Sequence, residues 1–273
     1  MINEKVKNTI ELARRVRVHA LKMVNKGGSS HIGSALSIAD IVSVLYGRVM
    51  NYRAKEPKWE DRDRFILSKG HAGVSVYAVL AEMGFFNSTK LSEHYQDGSV
   101  FSGHISHVGI PGVELSTGSL GHGLSVGSGM AYAAKLNGKK HRIFVLMGDG
   151  ELDEGSNWEV FLFAGHHNLS RLVAIIDRNY LQSMKSTEET LSLEPLRDKF
   201  VAFGWNVLEV DGHNHRELIS SLLDNKSNKP TVVIANTTKG KGVSYMENSV
   251  QWHYKTPEGV QLEQAMFELG KKQ

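Results

Sequence analysis

The 273-residue sequence contains no cysteine, which excludes a disulfide framework, a thiolate metal site and a cysteine nucleophile together. A cysteine-free chain suits a reducing compartment. An excess of one charge is lacking as well: 32 basic against 29 acidic residues leave a formal net charge of +3, with the basic residues spread along the chain. That balance suggests neither nucleic-acid nor membrane-surface binding, while small acidic molecules remain natural partners. No apolar run approaches the roughly 18 residues of a membrane span, and the opening MINEKVKNTI has no apolar signal core. The expectation is a cytoplasmic protein. There are only five prolines, and no linker, repeat or low-complexity tract marks a boundary, so one domain over 1–273 is the economical reading.

What is present is patterned. From Glu4 to Asn25 the residues Val6, Ile10, Ala13, Val16, Ala20, Met23 and Val24 recur at helical spacing, and Gly27-Gly28 supplies a left-handed stop. A second helical pattern follows Ser37 through Ile38, Ile41, Val42, Leu45 and Val49; a strand is expected over Arg64 to Leu67, and a helix opening near His71. Thereafter short β-rich runs, Arg142 to Met147, Leu172 to Ile176, Trp205 to Val210 and Thr231 to Ala235, alternate with helical or polar stretches. This is the order of a doubly wound α/β fold, a mostly parallel central sheet with helices on both faces. Ligands in that architecture gather outside the carboxyl ends of the strands, so chemistry is expected just after them.

Two strand ends carry it. Gly148-Asp149-Gly150 follows RIFVLM, and Asp177-Arg178-Asn179-Tyr180-Leu181 follows LVAII. Adjacent parallel strands joined by one right-handed crossover put Asp149 and Asn179 side by side, a way to hold one hard cation with oxygen ligands. A lone carboxylate binds Mg²⁺ weakly. If the ligand brings its own diphosphate, an Asp, an Asn amide oxygen, a backbone carbonyl and a water complete the octahedron. Gly148 and Gly150 let the backbone approach the phosphates. Taken alone, GDG is equally an ordinary turn after a core strand. Of the thirteen histidines, four stand apart by local sequence: His31 in GGSSHIGSALS, His71 in LSKGHAGVSVY, His104 in FSGHISHVGIPGVELSTGSLGHGL and His253 in TTKGKGVSYMENSVQWH.

The stretch GDGELDEGSNWEVFLFAGHHNLSRLVAIIDRN resembles the thiamine-diphosphate motif, and the four histidine segments resemble, in order, those of the N-terminal part of transketolase. The resemblance covers nearly the whole chain. It implies a thiamine-diphosphate-binding fold with thiamine diphosphate and Mg²⁺ as cofactors, the metal held by Asp149, Asn179 and the main chain of Leu181. The diphosphate would rest on Gly150, Asn179 and His71. His31, His104 and His253 would position a ketose phosphate and move protons during transfer of a two-carbon ketol unit to an aldose, with His253 also facing the cofactor. Gly118-Ser119-Leu120-Gly121-His122-Gly123 is similar to a family loop that usually reads GPLGQG and contacts the aminopyrimidine and thiazolium rings; Ser119 and His122 depart from it. Glu154 is implied at the subunit interface, linking two active sites. The other nine histidines read as structural.

The family's acidic residue that bonds the aminopyrimidine lies on a pyrimidine-binding domain outside this sequence. The expectation is therefore a naturally split enzyme: a second, C-terminal subunit brings that domain in an α2β2 assembly, although a piece of a longer chain would read the same way. The nearest alternatives are another thiamine-diphosphate enzyme, such as a 2-oxo acid dehydrogenase subunit or a deoxyxylulose-phosphate synthase, or an idle scaffold. A hydrolase is suggested only by Gly123-Leu124-Ser125-Val126-Gly127, which satisfies G-x-S-x-G but lacks a strand directly before the serine. Neither G-x-G-x-x-G after the first strand nor a P-loop appears where a dinucleotide or triphosphate binder needs it.

Overall fold

A computed structural model describes residues 2–223 and 227–270. The single-domain reading over 1–273 also takes in residues 1, 224–226 and 271–273, which lie outside the described residues. The chain opens with α1 (Ile2–Gly27), α2 (Ile32–Ser37), α3 (Ala39–Val44), β1 (Arg64–Leu67) and α4 (Gly73–Glu82). A long irregular stretch then leads to α5 (Gly123–Leu136), β2 (Ile143–Gly148), α6 (Gly155–His166) and β3 (Leu172–Arg178). The remainder is α7 (Thr187–Thr190), α8 (Leu196–Ala202), β4 (Asn206–Asp211), α9 (His215–Leu223), β5 (Thr231–Asn236) and α10 (Gly259–Gly270). The five strands form one sheet in the order β1-β2-β3-β5-β4, and every pairing is parallel.

The strands β1, β2, β3 and β5 are largely apolar because both faces are covered, whereas the edge strand β4 (NVLEVD) is partly exposed; alternate side chains feed two separate cores. Phe65, Leu67, Phe144, Leu146, Val173, Ile175 and Val233 point into the core built with α1 to α4 and α9. Ile66, Val145, Met147, Ala174, Ile176 and Ile234 point into the other, with α5, α6 and α8. Each fully buried aliphatic side chain of this kind contributes about 1.5–3 kcal/mol. The α1 pattern reads correctly for Ala13, Val16, Ala20, Met23 and Val24, whereas Ile10 is 38% exposed. Gly28 at φ 61 stops the helix.

Two local expectations change. The helical run after Ser37 is broken: Ile38 sits between α2 and α3, and Leu45–Val49 widens into a π-helical turn. Crowding by α1 coincides with the widened turn, since a Cβ on Gly47 would lie 3.1 Å from Thr9 Cγ2. His71 does not open α4 itself; it lies in the 3₁₀ turn Gly70–Ala72 that runs into it.

The crossover geometry holds. Gly148 pairs with Asp177 across β2 and β3, and the Asp149 N–H donates to the Asp177 carbonyl at 3.3 Å. Both motif loops thus leave the sheet at neighbouring carboxyl ends.

Candidate active site

Asp149 is buried, and its oxygens are already engaged. Oδ1 accepts the Gly150 N–H at 2.8 Å, and Oδ2 accepts the Tyr180 N–H at 2.6 Å with the Arg178 guanidinium at 3.4 Å. Burial and the neighbouring Asp177 push its carboxyl up to about 6 despite those donors. Tyr180 adopts a left-handed φ of 65, which turns its N–H onto Asp149, and the Arg178 guanidinium lies over its ring, 4.1 Å from the centroid. Asn179 donates through Nδ2 to Asp177 Oδ2 at 2.9 Å and accepts the Leu181 N–H at 3.1 Å. The Leu181 carbonyl accepts the Lys239 ammonium at 3.0 Å. Asp149, Asn179 and Leu181, separated by a helix and a strand in sequence, therefore meet around one loop crossing, and a cation already sits on the carbonyl.

Beneath them lies a polar group that sequence reasoning missed. Asp177, the last residue but one of β3, is fully buried and accepts from Lys69 Nζ at 2.5 Å, Thr237 Oγ1 at 2.5 Å, Ser37 Oγ at 2.7 Å and Asn179. Burial alone would raise this carboxyl, but the Lys69 ammonium and the hydroxyl donors outweigh it and hold it low. Asp177 thereby ties the ends of three strands to the Asn179 loop. Lys239 was missed too. Among the described residues it has no carboxylate hydrogen-bond partner, resting on the carbonyls of Leu181 and Gln182 and 3.1 Å from His253 Nδ1. Burial and Lys69 lower it to about 8. Both lysines sit inside the segments LSKGH and TTKGKG, where an invitation to buried charge was legible only as Lys beside Gly.

The four singled-out histidines converge. His31 lies with its ring centroid 5.1 Å from His71, 5.6 Å from His104 and 4.8 Å from His253, and His71 and His253 are 5.8 Å apart. His31, at φ 70 ahead of α2, is fastened by its N–H donating to the His253 carbonyl at 2.8 Å. Burial and nearby positive groups lower His31 to about 4 and His253 to about 3, and hold His71 well below the usual range. These three imidazoles are neutral at neutral pH, each able to donate and accept. The other histidines lie elsewhere: His213 and His215, for example, bond the buried Asp40 that also pairs with Arg17.

The glycine loop before α5 folds against the same place. Gly118 lies against His104, a Cβ there being 3.5 Å from its ring, Leu120 lines the cavity and Ser119 is exposed. Glu154 caps the start of α6 and is exposed, outside the cavity lining. Ser125 of the G-x-S-x-G match sits within α5 with no strand before it, so the nucleophile-elbow geometry is absent. Gly123 cannot be larger, since a Cβ would stand 2.4 Å from Ser68 Oγ.

Between these groups is a cavity of about 230 Å³, reached by Asp149, Gly150, Asn179, Leu181, Lys239 and His253. The donor set fits a diphosphate cofactor with a hard cation. Lys239 offers a positive charge held by two carbonyls and His253 Nδ1, the Nδ1 of His31 is buried without a partner among the described residues, and Asp149, Asn179 and a carbonyl supply oxygens. Among the described residues no group of three His, Cys, Asp or Glu could hold a metal ion.

Fold and cavity together define an α/β cofactor-binding domain with its ligand site over the carboxyl ends of a parallel sheet. Residues 8–271 match the family described as transketolase, thiamine diphosphate binding domain, and the chain belongs to that family. It is a transketolase-type transferase domain whose cofactor is thiamine diphosphate. It is 42% identical over 267 residues to an apulose-4-phosphate transketolase subunit of Phocaeicola vulgatus, covering 97% of this chain and 95% of that one. The 6-deoxy-6-sulfo-D-fructose transketolase subunit SqwG of a Clostridium species is 40% identical, with 88% of the relative covered. Among solved structures, transketolase from Campylobacter jejuni superposes with a TM-score of 0.90 at 31% identity, over 98% of this chain and 43% of that one. The chain thus spans about two fifths of the solved transketolases and nearly all of the relatives named as subunits.

Proposed function

We propose that this chain is the diphosphate-binding subunit of a two-chain transketolase that transfers a ketol unit from a ketose phosphate to an aldose. The carrying observation is the convergence of four imidazoles, three of them held neutral, beside a cavity that His71 and His253 line together with Asp149, Asn179 and Lys239. Residues 1–273 act as one domain in this reading. Thiamine diphosphate, when bound, supplies the carbanion chemistry. Asp149, Asn179 and the Leu181 carbonyl hold Mg²⁺, with Lys239 yielding that carbonyl and turning to the diphosphate. His71 and Gly150 meet the phosphate oxygens, and Gly118, Ser119 and Leu120 meet the rings. His31, His104 and His253 hydrogen-bond the sugar hydroxyls and shuttle their protons, a task suited to imidazole side chains.

Three relatives of matching length carry the word subunit in their names, which supports a second chain bringing the pyrimidine-binding domain and its acidic residue, in an α2β2 assembly. The exposed apolar side chains Leu136 of α5 and Leu162 and Phe163 of α6 are in keeping with a partner surface. None of the described helices is long and apolar enough to cross a membrane, and with the absence of cysteine this supports a cytoplasmic setting.

The test is to purify the protein with whatever chain accompanies it and to assay ketol transfer from xylulose 5-phosphate to ribose 5-phosphate with thiamine diphosphate and Mg²⁺. Activity requiring both chains supports the reading. A partner without this activity points to another ketose or a 2-oxo acid, and the absence of any partner removes the two-chain assignment.

A further inference from the structure

Glu151 is 2% exposed, yet it borders the cavity. Its two carboxylate oxygens are divided between two segments. Oε1 accepts the Gly121 N–H at 3.0 Å together with the Ser68 hydroxyl, and Oε2 accepts the Gly148 N–H at 3.2 Å. Ser68 carries the bridge onward by accepting the Gly123 N–H at 3.1 Å. Gly121 and Gly123 belong to the loop whose Leu120 lines the cavity and whose Gly118 lies against His104, whereas Gly148 immediately precedes Asp149. One carboxylate therefore spans the two ends of the cradle.

The local packing leaves the bridge no slack. A Cβ on Gly121 would come within 2.7 Å of Ser156 Oγ, which itself donates to the Gly121 carbonyl at 2.9 Å. The Glu151 main chain is fastened as well, its carbonyl accepting Asn157 Nδ2 at 2.7 Å. A buried carboxylate is tolerated only where donors satisfy it, and every direct donor to this one belongs to a segment bordering the cavity.

We propose that Glu151, acting with Ser68, is a positioning residue that sets the separation between the ring-binding loop 118–123 and the diphosphate-binding turn 148–150, so that both ends of one thiamine diphosphate are met at once. The inference rests on the cofactor reading given above. Glu151 exchanges no proton in this role. A glutamine of the same length keeps one acceptor oxygen and turns an NH₂ toward the other N–H, so Glu151→Gln releases one end of the cradle without emptying the space.

The experiment is calorimetric titration of the full chain in its native complex, with thiamine diphosphate and separately with inorganic diphosphate, both in Mg²⁺. Inorganic diphosphate needs only one end of the cradle. For Glu151→Gln and for Ser68→Ala, thiamine diphosphate affinity should fall about tenfold or more, the scale of one lost hydrogen bond to a charged group, while inorganic diphosphate affinity changes by less than about twofold. The double variant should lose less than the product of the two single losses, because both cut one bridge. Unchanged thiamine diphosphate binding in the folded variants overturns the proposal, and so does equal loss of both ligands, which marks a merely structural carboxylate. Failure of the unsubstituted complex to bind thiamine diphosphate overturns the cofactor reading first and this inference with it.

Discussion

Asp149 and Lys69 are both buried ions at the same strand ends, yet they answer different questions. Asp149 supplies a carboxylate to the cavity, so Asp149→Ala should abolish metal-dependent binding of thiamine diphosphate in titration calorimetry; unchanged binding would remove it from the metal site. Lys69 instead neutralises Asp177 across 2.5 Å with both groups out of water. Removing one member of such a pair strands the other charge. Lys69→Met should therefore cost about 3–5 kcal/mol in urea unfolding, and adding Asp177→Asn should recover part of the loss. A full-strength protein carrying Lys69→Met alone would show that the pair is not needed. At this scale the sequence singled out Asp149, Asn179 and the four histidines through motifs. It was mute on Asp177 and Glu151, each of which lies inside or next to a quoted motif. Their importance comes from partners 108, 140 and 83 positions away.

Elements were legible wherever burial on both faces wrote itself into composition. The five strands fall within a residue or two of their expected positions, because a doubly covered parallel strand is written as a short apolar run, and the edge strand β4 keeps Val207, Leu208 and Val210. Helix α5 shows the complementary case: its sequence is rich in small residues, and the structure puts Gly127 where a Cβ would stand 2.5 Å from Val145 Cγ2. Close packing accounts for it. Gly127→Leu should destabilise the fold by about 1–3 kcal/mol through overpacking against β2, measured as a lowered denaturation midpoint with an unchanged slope. No loss would mean that α5 can lift off the sheet. The break after Ser37 escaped the periodic reading, since an i, i+3, i+4 pattern survives a local π turn and only the press of α1 against Gly47 reveals it.

For the whole molecule, burial of neutral histidines makes stability depend on pH. His94, bonded to Ser29 at 2.9 Å, is lowered by burial from 6.5 to about 4. Between those values the unfolded state binds more protons than the folded one, so stability falls as pH falls through the window, and this contribution is fully lost by about pH 4. His31 and His253 act in the same direction, down to about 4 and about 3. Urea unfolding of the unsubstituted chain should show lower stability at pH 5 than at pH 7, and His94→Gln should flatten that dependence. An identical slope in the variant would mean that His94 charges freely in the folded state.

The linear sequence determined the short apolar runs that make a doubly covered parallel sheet, and the placing of GDG and DRN at the ends of two of its strands. Those are local properties, carried by composition and short spacing. Only the tertiary structure decided that the rings of residues 71, 104 and 253 gather around His31, that Lys239 faces carbonyls instead of a carboxylate, and that Glu151 joins the two ends of the cradle. A buried charge is tolerated only by the partners folding brings to it, and those partners lie on segments that the crossovers of the sheet, not the order of the residues, make neighbours.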